Sequence, residues 1–282
     1  MQYLQKGYRL LILVSLFIFS VLLSACSNLD AVKEWSSTSL DATLYNEIIT
    51  TYADTPERLK EYDSNPSYDE GIELRKNQAE ALKKMLSVVS SYMAALSTLS
   101  ADSTIKYDED VNDLTTSIEN LDTGISEDTI GAVGSIVNTL LASATKDYQA
   151  RQVSKIVEKA NQPLQIILNG ELRKIVDTDF RRDLNTEKSL LDRYYDSLIQ
   201  APTESPSSAA KVAILKWKEL RLAENKKRED AIDAYINVLD EISKGHQEIY
   251  NNRSKLNGTK LAKELYTLVV ELRKQIQILS QS

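Results

Sequence analysis

The chain has 282 residues, 34 Lys and Arg against 41 Asp and Glu, a net charge of −7, one Cys and one His. This acidic balance argues against a nucleic-acid partner and against a surface-wide electrostatic hold on anionic lipid. A lone Cys excludes an intrachain disulfide, and with a lone His it excludes a conventional zinc site, which needs several N or S ligands. With 8 Gly, 5 Pro and an abundance of Leu, Ile, Ala, Lys and Glu, the composition favours helices over a sheet sandwich.

The chain opens with Met1 to Arg9, which carries Lys6 and Arg9 and no acid. Leu10 to Leu23 follows, apolar except for Ser15 and Ser20, and shorter than the roughly 20 residues of a membrane-spanning helix. A basic start, a short apolar stretch and a small-residue end are the parts of a secretory signal. The closing run Leu23-Ser24-Ala25-Cys26 resembles the lipobox of bacterial lipoproteins. The resemblance implies a thioether diacylglycerol on Cys26, cleavage before it and acylation of the new amine. Two or three acyl chains anchor stably where one would not. Ser27 stands where an Asp would favour inner-membrane retention, so the resemblance implies the periplasmic face of the outer membrane in a Gram-negative host. Residues 1–25 are thus read as signal peptide, 26–39 as a lipidated tether and 40–282 as the folded body. Fully extended, residues 27–39 would reach about 45 Å.

Leu40, Leu44, Ile48, Ile49 and Tyr52 share a helical face, with Ser39 placed to cap it. Thr55-Pro56-Glu57 starts a short helix, with Pro in the first turn. Asn65-Pro66 interrupts, and Ser67 with Glu70 has the spacing of a capping box. A helix over 68–100 shows the cleanest period, in Leu82, Met85, Val89, Tyr92, Leu96 and Leu99. A helix over 108–122 follows, with Gly124 at its C-cap. Ser126 opens another, carried by Ile130, Val133, Val137, Leu140 and Ala144 and continuing through Ile156. Pro163 is expected to end that helix.

Helices over about 163–200 and 207–254 form a long antiparallel hairpin, turning in the Pro-bearing run 201–208, with Gly245 as the point in the second where a bend would fall. A final helix from Thr259 carries Leu261, Leu265, Leu268, Leu272, Ile276 and Leu279. No run reads as a strand. The sequence predicts an all-α, single elongated helical bundle of six to eight helices.

Two further features have physical content. Met85 to Ala101 and Thr129 to Thr145 contain no charged residue, which favours the bundle centre for both helices over a membrane-inserting hairpin, since their Ser and Thr and Asn138 make poor lipid spans. In the hairpin, facing residue numbers sum to about 407. A charged waist, Asp177 to Lys188 against Lys218 to Asp230, then separates two apolar zones. Such a waist is most simply a solvated face with exposed ion pairs. The turn end bears Tyr194, Tyr195 and Trp217, residue types common as interface anchors, and these are the candidate partner-binding residues.

Other patterns carry little chemistry. His246 lies beside Gly245 with no acidic constellation near it and reads as a surface or helix-end residue. Ser143-x-x-Lys146 and Ser208-x-x-Lys211 lack the companion elements of penicillin-recognising enzymes. Asp108, Asp110, Asn112 and Glu119 have calcium-loop spacing, but Asp113 stands where Gly is needed. No metal site, cofactor or catalytic residue is assigned. The expected function is a non-enzymatic protein-binding or scaffold lipoprotein of the envelope, held to the membrane by lipid on Cys26. The alternatives are a protective lipoprotein, excluding phage or neutralising a toxin, and a carboxylate-dependent cell-wall enzyme.

Overall fold

The computed structural model describes residues 29–101, 124–143, 149–200 and 206–281. Cys26 with its signal, the helix and acidic run read at 108–122, Lys146 and the turn at 201–205 lie outside the described residues. The protein is an all-α bundle. Among the described residues it has six long helices and two short ones, and no strand. They are α1 (Asp30–Thr43), α2 (Glu47–Ala53), α3 (Thr55–Lys60), α4 (Ser67–Ser100), α5 (Glu127–Ser143), α6, α7 (Ser208–Asn251) and α8 (Thr259–Leu279). Helix α6 is one rod with four parts, Gln149–Ile166, Ile167–Leu172, Lys174–Phe180 and Arg181–Ile199.

Helix α1 replaces most of the expected tether. Its Trp35 has 0% of its surface exposed, and α1 packs along α4 and α8. The sequence hides this because the buried face is built from hydroxyls, Ser36, Thr38, Ser39 and Thr43, beside Val32, Trp35 and Ala42. Local bonds make some of those hydroxyls tolerable inside. Ser36 donates to the Val32 carbonyl at 2.7 Å and Thr43 to the Leu40 carbonyl at 2.8 Å. Ser90 of α4 donates to Thr43 at 2.8 Å, so small residues let the two helices approach closely. Ser39 is therefore mid-helix rather than a cap. The chain breaks after Thr43, leaving Leu44 exposed, and resumes at Glu47.

The second half of α4 is the centre of the bundle, as its uncharged sequence predicts. Met85, Leu86, Val88, Val89, Tyr92, Met93, Leu96 and Leu99 are all buried. The expected capping box does not form. Ser67 is already helical, and the Asn65 carboxamide accepts its N–H at 3.0 Å. Helix α5 is capped as expected, Ser126 Oγ accepting the Thr129 N–H at 3.3 Å. It is not fully central: Ala132, Val133, Ile136, Val137 and Leu140 are buried, while Gly131, Ser135, Asn138 and Leu141 are exposed. Its outer face is neutral instead of charged. Gly124 has φ 67°, the left-handed conformation of a C-cap.

Pro163 does not end a helix, because both its flanks are pinned to α7. Asn161 Nδ2 donates to Gln247 at 3.1 Å, and Gln165 Nε2 donates to the Ser243 carbonyl at 3.0 Å. Beyond it α6 widens into π turns over Ile167–Leu172 and Lys174–Phe180. The sequence pattern explains the widening. Leu164, Leu168, Leu172, Val176, Phe180 and Leu184, all buried, recur at strict steps of four. In an α-helix each such step overshoots one turn by about 40°, so the stripe would spiral off the core. Wider turns, bonded i→i+5, undershoot instead and return the stripe to one face.

The hairpin of α6 and α7 forms with nearly the predicted register. Asn161 meets His246, Arg173 meets Asp240, and Glu187 meets Arg228. Pairs beyond the start of the π turns sum to more than the predicted value, because π turns use more residues per unit length. Helix α7 runs unbroken through Gly245. That glycine admits Trp35 instead, since a Cβ there would lie 2.1 Å from Trp35 Nε1. Gly245→Ala is expected to destabilise the fold by about 1–3 kcal/mol through overpacking. Gly131→Ala, where no atom lies within 4 Å, is expected to be neutral or to stabilise by up to about 1 kcal/mol. Urea unfolding of both variants measures the contrast.

Candidate partner-binding arm

The hairpin end is uncovered on its α7 side, while Leu190, Leu191 and Tyr195 of α6 are buried on the other. From Ser208 to Glu224, α7 contains no buried residue, and Asn225 is the first. At 1.5 Å per residue this is an arm about 25 Å long, made of α7 and the last turns of α6. Ser207 caps α7, its Oγ accepting the Ala210 N–H at 3.2 Å. Lys218 holds the two helices together through Asp192 at 3.0 Å and Asp196 at 2.8 Å. Those carboxylates raise the Lys218 ammonium above its ordinary value by hydrogen bonding.

The structure divides the three aromatic residues that the sequence grouped. Tyr195 is buried, 8% exposed, on the α6 side of the arm, beside the Asp192 and Asp196 carboxylates that hold Lys218. There Tyr62, from the segment after α3, meets Tyr194 edge-on at 5.5 Å and Tyr195 at 6.5 Å. Burial pushes the Tyr62 hydroxyl up to about 12. Tyr194 is 38% exposed on the flank. Trp217 is 57% exposed and makes no ring contact among the described residues. With Ala213 and Leu220 it forms an outward stripe at steps of four and three, and Val212, Leu215 and Leu198 add exposed apolar surface nearby. Leu220 and Tyr62 escape a reading of the sequence because charged neighbours, Glu219 and Arg221 or Glu61 and Asp63, mask them.

The waist below the arm is more covered than its composition suggests. Arg58 of α3 and Arg228 of α7 both reach Glu187, whose side chain is 3% exposed. Arg75 of α4 pairs with Asp183 at 2.7 Å. Burial raises the Asp183 carboxyl, and the Arg75 charge opposes that rise. These pairs fasten the arm's root to α3 and α4.

His246 is a core residue, contrary to the surface position expected for it. It is 0% exposed, with Nε2 2.6 Å from the Tyr92 hydroxyl and Nδ1 2.9 Å from Asn161 Oδ1. An amide oxygen only accepts, so Nδ1 carries the proton and Nε2 accepts from Tyr92. Trp35 borders the same ring at 6.5 Å between centroids. The group is enclosed by α1, α4, α6 and α7 and touches no opening.

Among the described residues, no cluster of three or more His, Cys, Asp or Glu is placed to hold a metal. Among them, too, no helix is long and apolar enough to cross a membrane. Comparison of the chain with protein families, with curated proteins and with solved structures finds no match.

Proposed function

We propose that this chain is a membrane-anchored envelope lipoprotein that binds a protein partner through the α6–α7 arm, as a scaffold or binding module and not as an enzyme. The observation that carries the reading is the uncovered apolar stripe of Ala213, Trp217 and Leu220 on the α7 side of the arm. Trp and Tyr presented on a rigid helix supply large contact area at little entropic cost. The position of the arm fits this use. The chain enters the body at Leu29, which lies beside Arg253 to Asn257, just past the end of α7. Trp217 lies near the other end of that helix, about 50 Å away. A lipid on Cys26 would therefore stand the body on the membrane with the arm held outward.

A photoreactive residue at position 217 in intact cells is expected to crosslink one discrete partner. Trp217→Glu combined with Leu220→Glu is expected to weaken binding to that partner by 30-fold or more, about 2 kcal/mol. Neither side chain supports the core, so the helical signal and unfolding midpoint are expected to stay unchanged. Undiminished binding by the folded double variant would overturn the arm's role. Loss of labelled palmitate on Cys26→Ala tests the anchor separately.

A further inference from the structure

The opposite end of the bundle carries a cationic surface in an otherwise acidic protein. Arg151 and Lys155 from the start of α6, and Arg253 and Lys255 from the α7–α8 turn, converge around a concavity of about 410 Å³ that also includes Leu29. Arg253 is partly engaged. It lies 3.7 Å from Glu158, and its guanidinium stacks 4.3 Å above the Tyr250 ring. Arg151, Lys155 and Lys255 are exposed and form no ion pair among the described residues. Unneutralised like charges repel one another, so their convergence needs an external anion or comes at a small cost in stability.

Leu29 supplies the second observation. It is buried, 4% exposed, and stands three residues after Cys26. Three extended residues span about 10 Å, so an acyl chain on Cys26 brings this concavity to the headgroup layer. The expected 45 Å tether would have left the orientation free; helix α1 removes most of that freedom.

We propose that Arg151, Lys155, Arg253 and Lys255 form a foot that binds the headgroups of anionic phospholipids. This assignment rests on the anchored reading for its orientation, and it gives that anchor a second, electrostatic attachment. Acyl chains alone would let the body tumble about Cys26; the foot sets it upright. Each basic residue near an anionic surface raises partitioning by roughly fivefold, and salt screens the effect.

The test uses residues 27–282, which hold every described element of the bundle but no lipid site. Vesicles of phosphatidylethanolamine with 30% phosphatidylglycerol are compared with phosphatidylcholine vesicles by co-sedimentation. Binding is expected only to the anionic vesicles, falling at least tenfold in a Lys155→Glu, Lys255→Glu double variant, and weakening as salt rises. Both side chains are exposed, so circular dichroism should show unchanged helicity. Equal binding to both vesicle types, no binding to either, or an unaffected double variant would each overturn the foot. So would displacement from anionic vesicles by millimolar inorganic phosphate at constant ionic strength, since the cluster would then be a site for a free anion. The vesicle result is independent of lipidation, so it fails separately from palmitate labelling at Cys26.

Discussion

Replacing Glu187 with Ala is expected to lower the folding free energy by about 3–5 kcal/mol, because it leaves buried positive charge without a counter-ion. The carboxylate sits 3.3 Å from Arg58 Nε and 3.0 Å from Arg228 Nη1. Burial lowers the Arg58 guanidinium and Glu187 opposes that, while Arg228 adds to it. With Glu187 gone, two guanidiniums would face each other in a half-dry layer. Arg58 keeps its bonds to the Thr51 carbonyl at 2.7 Å and to Thr55 Oγ1 at 3.0 Å, so it cannot swing away freely. Replacing all three charges with Leu or Met of similar volume is expected to be near neutral, since the desolvation cost vanishes with the attraction. Urea midpoints of the single and triple variants separate these outcomes. A single-variant loss below about 1 kcal/mol would mean that the layer is solvated in solution and behaves as a surface pair. The result also bears on function, because this layer roots the arm and sets the direction in which Trp217 points.

How far the sequence could be read depended on which residues formed each buried face. Where Leu, Ile, Val, Met and Tyr repeat at helical spacing, as in α4 and α8, elements and core positions are legible. The hairpin register was legible too, because it follows from a turn and two long apolar patterns. Helix α1 was not, because Ser36, Ser39 and Thr43 occupy its inner face and hydroxyls there look like a linker. Pro163 misled because local propensity favours a break, whereas tertiary bonds from Asn161 and Gln165 keep the rod continuous. The step-of-four row from Leu164 to Leu184 did carry a signal for π turns, visible only when steps are compared with 3.6. At the arm, the residue types were legible but their directions were not: Tyr194 and Tyr195 are neighbours in sequence, and only one is buried. The foot joins residues about a hundred positions apart, so no local pattern announces it.

His246 makes stability depend on pH in a defined direction. Burial alone pulls its imidazole down to about 3, and its neighbours Tyr92, Asn161 and Trp35 offer no negative charge to a cation. In the unfolded chain the same group titrates near 6.5. Between those values the unfolded state takes up a proton that the native state refuses. The stabilisation is therefore complete above about pH 6.5 and is lost as pH falls, by up to about 1.4 kcal/mol per unit. At pH 4.5 this one group is expected to remove on the order of 2–3 kcal/mol. Many carboxylates titrate in the same range, so the measurement is a difference between two proteins. Gln at position 246 keeps a donor and an acceptor near the imidazole nitrogens but does not titrate. Its stability relative to the native protein should be constant above pH 7 and should rise steadily below pH 6.5, so that the two urea midpoints converge or cross in acid. Parallel pH profiles for the two proteins would mean that the imidazole takes up its proton without unfolding, and that α1, α4, α6 and α7 open around it.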